Sequence, residues 1–498
     1  MQAGFAMICA GVVRSKNVRN TMLKNLLDAC GAALGFYTIG YGLAYGGSTD
    51  GGPTTFAGNS NFFMMDLNKD FYLDPLVSGQ AYWLFQFAFA ATSATIVAGT
   101  VAERCQMTAY LGYSISLTAF IYPIVAHALW SPQGFLSISN ANPLFGIGAL
   151  DFSGGGVVHV TGGITALLAT KILGARRGRF HDNKGNPLPK PATLQQHSIA
   201  LQFLGVFILW FGFYGFNAGS ALIITNPNRT DIAIRTAIST TLAGASGCVS
   251  ALFSNLVYQE RVTGEATFDV GHSLNGCLAG LVSITAGCAV VEPWAAIIIG
   301  TVAGWFYLIC SNMLIAHRLD DAVEAIPVHL AAGSWGIIAT GLFAVPSYME
   351  QVTGTSAHPG WFYSWGRGSA DGRLLAANIV EIVFIIVWVS VTMGPFFLLL
   401  NYIGWFRSDS LEEVVGLDIS YHGGAVSPDD APMLEYVEAM KIQRQLAKTG
   451  LRSRRKGGDD MFDDEEIMAH AMEASHPSRK ASVKDSRSAS MDFHDHHV

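Results

Sequence analysis

Asp151-Phe-Ser-Gly-Gly-Gly-Val-Val-His159 and Asp321-Ala-Val-Glu-Ala-Ile-Pro-Val-His329 are the two stretches on which the fold turns. Both read D-x6-V-H-x3-G, with Gly163 and Gly333 closing the pattern, one copy in each half of the chain. Each copy opens an apolar segment. An ionisable residue inside a membrane span is expensive and usually marks a pathway or a partner. A matched pair in two halves points to an internal repeat with a site at its interface. This is the pattern of a transporter.

Composition agrees. The chain has 498 residues, of which 50% are hydrophobic and only 13% charged, and it holds 54 glycines. Its mean hydropathy is +0.34. A soluble domain carries roughly 25% charged residues, so the chain reads as a polytopic membrane protein. Several glycines fall four apart (Gly31/Gly35, Gly42/Gly46, Gly276/Gly280, Gly300/Gly304), a spacing that lets helix backbones approach in lipid. The net charge of −7 is set without any basic face, which argues against a nucleic-acid partner. The seven cysteines show neither metal-ligand spacing nor a disulfide framework. No metal or cofactor is expected.

Apolar stretches long enough to span the bilayer are 24–46, 79–99, 107–130, 153–174, 197–224, 233–257, 270–290, 294–316, 326–345 and 376–404. Residues 1–13 form a further segment, too short to cross alone, so the first helix is expected to be truncated and a signal peptide is not expected. One alternating set of loops holds twelve Lys and Arg and the other five, Lys69 and Lys184 among those counted. The richer set should be cytoplasmic, leaving the N-terminus outside and the C-terminal tail inside. The acceptor Asn228-Arg-Thr230 then lies outside, as a glycan would require. The expected domains are a membrane part, 1–405, and a cytoplasmic tail, 406–498, ordered to about 450. Past that point the chain is charged and Ser-rich (Arg452 to Lys456, Asp459 to Glu466) and is expected to be disordered.

The expected architecture is all-α, with two five-helix halves and a final helix. Five is odd, so the halves enter the membrane from opposite sides. Asp151 then starts at the outer face and Asp321 at the inner one. Eight helical residues advance about 12 Å, against a half-thickness of about 15 Å. Both histidines should reach the midplane, where they can meet.

The residues also carry a family resemblance. The Asp151–His159 run, Trp210-Phe-Gly-Phe-Tyr-Gly-Phe-Asn-Ala-Gly-Ser220, Ala102-Glu-Arg104, Gly271 through to Trp294, and Gly416-Leu-Asp-Ile-Ser-Tyr-His-Gly-Gly424 resemble ammonium transporters of the Amt/Mep/Rh family. The likeness runs from residue 1 to about 425 and is nearest the plant-type Amt branch. It implies an eleven-helix protomer, assembled as a homotrimer with one pore per protomer.

It also implies roles for particular residues. Trp130 and Ser220 match an outer recruitment site for the cation. Phe85 and Phe89 match an aromatic contact and the outer gate ring, Phe216 the second ring. His159 and His329 match paired pore histidines, and Asp151 an acid supporting the substrate site. Ser420 stands where plant-type relatives carry a regulatory threonine, which implies a kinase acting on the tail; Ser482 is a weaker candidate. Leu330 departs from the family's usual glycine and puts the packing around His329 in question.

Elementary energetics give the same picture. Stripping an ammonium-sized ion into a dry interior costs on the order of 20 kcal/mol in the idealised Born limit. Deprotonating an amine near neutral pH costs only about 5 kcal/mol. A dry, phenylalanine-gated conduit should therefore pass ammonia, with the proton moved separately. Two neutral imidazoles in line could hydrogen-bond it and carry that proton.

Plainer readings stand beside these. Asp151 could cap a helix, Trp130 could anchor at the interface, and any phenylalanine could be core. His127 and His272 read as packing, Asp321 as a cap. Gly154-Gly155-Gly156 lacks the Lys-Ser/Thr of a phosphate loop. The expected function is ammonium transport, and not catalysis, at the plasma membrane. An ammonium receptor signalling through the tail is the alternative, and a membrane enzyme with histidine metal ligands a weaker third.

Overall fold

We describe a computed structural model covering residues 1–48, 52, 54–65, 67, 78–182, 185–222 and 226–423. Lys69 and Lys184 of the loop count, Ser482 and the charged segments beyond 424 lie outside the described residues, as does the expected change from order to disorder near 450.

Among the described residues the chain is helical, and no strand is formed. We label the apolar helices α1 (Gln2–Val12), α2 (Ser15–Tyr45), α3 (Gly79–Thr100), α4 (Met107–Trp130), α5 (Gly155–Leu173) and α6 (Ile199–Ala221). There follow α7 (Pro227–Thr263), α8 (Val270–Ile284), α9 (Pro293–Ala316), α10 (Ile326–Phe343) and α11 (Arg373–Tyr402). Nine of them are long and apolar enough to cross a membrane, while α1 and α8 are shorter. Helix starts follow side-chain capping rules. Ser78 accepts from Ala81 N, Ser198 from Leu201 N, and Asp269 from His272 N. Asn226 caps α7, whose first residue is a proline.

The expected spans 107–130 and 326–345 match α4 and α10 closely. The expected span 270–290 does not stay helical: α8 stops at Ile284. Beyond it Thr285 and Ala286 turn their carbonyls to the N–H groups of Ser153 and Phe152. A backbone that leaves the helix must find other partners, and here the freed carbonyls seat the chain leading into α5. That is why the expected span 153–174 begins as a helix only at Gly155.

Glycine spacing sets the packing of α7, α8 and α9. A Cβ on Gly280 or Gly300 would collide with the Ala243 carbonyl, and one on Gly304 would lie 2.9 Å from Gly247 O. The three backbones touch because nothing stands between them. The Ala102-Glu-Arg104 motif is a buried clamp. Arg104 donates to Gly174 O at 2.8 Å and Asp320 O at 2.7 Å, while Glu103 pairs with Arg14 at 2.5 Å.

Residues 1–175 with 195–407 form one compact unit, and 176–194 with the described part of 408–498 form another. In the second unit, Arg177 N donates to the buried carboxylate of Glu413 at 2.7 Å. Asp409 and Glu412 form a capping box at the start of Ser410–Val415, and Tyr421 donates to Glu412 at 2.8 Å.

Candidate functional site: a histidine pair below a phenylalanine stack

The two D-x6-V-H elements fold alike. In each, the aspartate caps a helix whose first turns are wound wider than an α-helix, and the histidine sits in that π-wound stretch. Such stretches often mark functional sites because they redirect side chains. Asp151 Oδ1 accepts from Gly154 N and Gly155 N at 3.0 and 2.6 Å. Its Oδ2 accepts from Gly156 N and Val157 N at 2.9 and 3.0 Å. Gly154 reaches this conformation at φ +92°, open to glycine and rare for other residues. Asp321 does the same with fewer bonds, to Ile326 N at 2.7 Å and Val323 N at 3.3 Å.

The motif glycines let the two elements cross. A Cβ on Gly163 would fall 2.6 Å from Leu330 N, and one on Gly333 3.4 Å from His159 Cβ. At that crossing His159 Nδ1 and His329 Nδ1 lie 3.1 Å apart. The rings are near-parallel, 19° apart in tilt with centroids separated by 5.1 Å. Leu330 leaves this pairing intact, and both its backbone and its Cβ lie against Gly163, where only a glycine leaves room for them.

Aromatic rings lead away on both sides. Phe216 stands 5.7 Å from the His159 ring and stacks on Phe89 at 4.1 Å between centroids. Phe89 meets Trp130 edge-on at 5.6 Å and Phe85 at 4.8 Å. A Cβ on Gly219, beside Ser220, would lie 3.7 Å from Phe85. Ser220 donates its hydroxyl hydrogen to Phe216 O at 2.8 Å, which leaves its oxygen able to accept. Trp130 Nε1 donates to Asp151 O at 2.7 Å and so holds the indole against the α5 start.

On the other side, Phe5 approaches the His329 ring at 6.0 Å. A largely apolar chamber of about 20 Å³ follows, bounded by Phe5, Ile8, Thr95, Leu278, Val328 and His329. That is room for one molecule the size of water. His159 Nε2 is buried with no hydrogen-bond partner among the described residues. A buried, unsatisfied ring nitrogen is a place where a further donor or acceptor can bind.

Six of the expected site residues are thus in contact: Phe85 and Trp130 each meet Phe89, which leads on to Phe216, His159 and His329. The Asp151 carboxylate faces backbone N–H groups. His127 and His272 have partners of their own, Ala44 O at 2.8 Å and the Tyr307 hydroxyl at 2.8 Å. Among the described residues, no group of three or more His, Cys, Asp or Glu side chains is gathered as a metal site needs.

Residues 1–426 match the Ammonium Transporter Family. The chain belongs to this family. It is 41% identical to Ammonium transporter 1 member 3 of Solanum lycopersicum, over 89% of this chain and 94% of that protein. With Ammonium transporter 1 member 2 of Oryza sativa subsp. japonica it shares 43%, over 85% and 83% of the two chains. Among solved structures, a Sensor Amt Protein superposes with TM-score 0.70 at 30% identity, covering 84% of this chain and 94% of its own. Candida albicans Mep2 does so with TM-score 0.69 at 26% identity, covering 82% and 83%.

Two features escaped the sequence reading. Glu381 lies fully buried in α11 against Gly156, whose N–H donates to Asp151. Asp28 lies fully buried in α2, accepting from the Tyr110 hydroxyl at 2.5 Å. The signal was present in each case: a lone acid inside an apolar span.

Proposed function

We propose that this chain moves ammonium across a membrane by stripping the cation of its proton and passing ammonia. Trp130 and Ser220 recruit the cation outside, the indole face contributing about 0.5–2 kcal/mol and the hydroxyl accepting a hydrogen bond. Phe85 adds an aromatic contact, and Asp151 supports the site through its field and by fixing the start of α5. The stacked rings of Phe89 and Phe216 admit no hydrated ion, so they swing for a small neutral molecule.

Past them ammonia meets His159 and His329. One hydrogen shared between the facing Nδ1 atoms makes one ring's Nε2 an acceptor and the other's a donor. A proton taken up at the accepting Nε2 sends the shared Nδ1 hydrogen to the other ring, whose Nε2–H leaves, so one proton crosses the pair while ammonia moves beside it. The apolar chamber then holds one ammonia before release inside. The observation that carries this reading is the 3.1 Å histidine contact between the phenylalanine stack and the chamber.

Residues 1–405 serve as the transport domain and 406–498 as a cytoplasmic tail, with the N-terminus outside. The reading is completed by a homotrimer, as the family resemblance implies, set in the plasma membrane. Ser420, near the end of the described chain, is the candidate phosphosite for a kinase. Its hydroxyl is buried and donates to Gly416 O at 3.0 Å, so modification requires local opening.

The test is an ammonium pulse applied to proteoliposomes containing only this chain. A saturable, substrate-evoked current or ammonia flux is expected. A receptor would bind ammonium and move none, which would end the transport reading.

A further inference from the structure

Glu381 is fully buried in α11, one turn beyond Asn378, which clamps Leu150 N at 2.9 Å and Ile337 O at 2.9 Å. Its carboxyl presses on the start of α5, where a Cβ on Gly156 would collide with Oε1. The Asp151 carboxylate meets the same residue, accepting from Gly156 N at 2.9 Å, so the two acids are neighbours. Neither acid pairs with a lysine or arginine among the described residues.

The two acids are held very differently. Asp151 accepts four backbone N–H groups, two on each oxygen, at the N-terminus of α5. Glu381 accepts from no described donor on either oxygen. Two carboxylates in contact without a cation cannot both stay ionised. N–H donors and the positive end of a helix favour charge on the acid they surround. The charge therefore belongs on Asp151, and the proton between the acids belongs to Glu381.

We propose that Glu381 is a neutral carboxylic acid whose O–H donates to Asp151, a positioning residue for the outer end of the pore. It turns an unsatisfied buried acceptor into a satisfied donor and leaves one negative charge at this depth instead of two. It acts through its neighbour. Asp151 fixes the wide first turns that carry His159, and its carbonyl receives the Trp130 indole N–H. Holding Asp151 in place thus holds both the recruiting tryptophan and the first pore histidine.

The experiment compares the full chain with Glu381→Leu and Glu381→Gln in proteoliposomes. Infrared difference spectra supply a second readout. Glu381→Leu is expected to lower ammonium flux roughly ten- to hundred-fold, because Asp151 loses its donor and the site loses registration. Glu381→Gln, whose amide still donates, is expected to restore most of that flux. The chain at neutral pH should show the carbonyl absorption of a protonated carboxyl, sensitive to deuterium exchange and lost in Glu381→Gln.

An absent band, a Gln variant as poor as the Leu variant, or an unimpaired Leu variant each overturns the proposal. If Glu381→Leu fails to assemble, the infrared comparison of the chain with Glu381→Gln still decides. The flux arm rests on the transport reading above and the infrared arm does not. A chain that shows the band yet moves no ammonium would fail that reading and keep this one.

Discussion

Nδ1 faces Nδ1 across 3.1 Å, so the hydrogen between His159 and His329 belongs to one ring at a time. Which ring holds it sets which Nε2 can greet ammonia as an acceptor. The same economy appears at Trp130, where the indole N–H is committed to Asp151 O and only the ring face is left for a cation. Trp130→Leu should therefore raise half-saturating ammonium by roughly 2- to 30-fold, the equivalent of about 0.5–2 kcal/mol, while maximal flux changes less. Concentration dependence of flux in proteoliposomes measures it, and an unchanged half-saturation would remove Trp130 from recruitment. At this scale the sequence is unevenly legible. The histidines stood out because a rare residue type recurs in a repeated context. Phe89 and Phe216 were named only through the resemblance, since 30 phenylalanines make any one of them anonymous. Glu381 is not legible there because its neighbour, Asp151, is remote in the chain, and burial beside another acid is not visible in a linear string.

At the scale of elements, backbone departures from the α-helix do the aiming. The π-wound starts of α5 and α10 bring His159 and His329 face to face, and the unwound end of α8 gives its carbonyls to Phe152 and Ser153. Apolar periodicity located these segments, because about 20 apolar residues are needed to span the bilayer whatever the winding. It could not reveal the winding, which depends on contacts between segments far apart in sequence. Glycine spacing was more informative. Gly276/Gly280 and Gly300/Gly304 do bring α8 and α9 onto α7. Gly280→Leu should cost about 1–3 kcal/mol by overpacking that seam, seen as a lower melting temperature in detergent. A variant melting at the same temperature would mean the seam can part freely.

At the scale of the molecule the chain divides into two compact units, 1–175 with 195–407 and 176–194 with the described part of 408–498. The sequence placed the tail by itself, whereas the structure groups the loop 176–194 with it. The reason is specific: the Arg177 backbone N–H satisfies the buried Glu413 carboxylate, a long-range bond that composition does not encode. Asn228, the expected glycan acceptor, is exposed at the start of α7. Ser420→Asp should lower flux by about tenfold, since it replaces a buried hydroxyl bond with an unpaired charge costing about 1–3 kcal/mol. Flux through the full chain checks this, and wild-type rates in that variant would argue against control at Ser420.

The central claim is that the paired imidazoles carry a proton beside ammonia, so the direct measurement is the ammonium-evoked current of His159→Ala with His329→Ala against that of the unaltered chain. With equal amounts of folded protein in proteoliposomes, the account predicts a saturable current from the unaltered chain. The double variant should lose roughly a hundredfold or more of it. Full current with unchanged discrimination against potassium in the double variant would contradict the account.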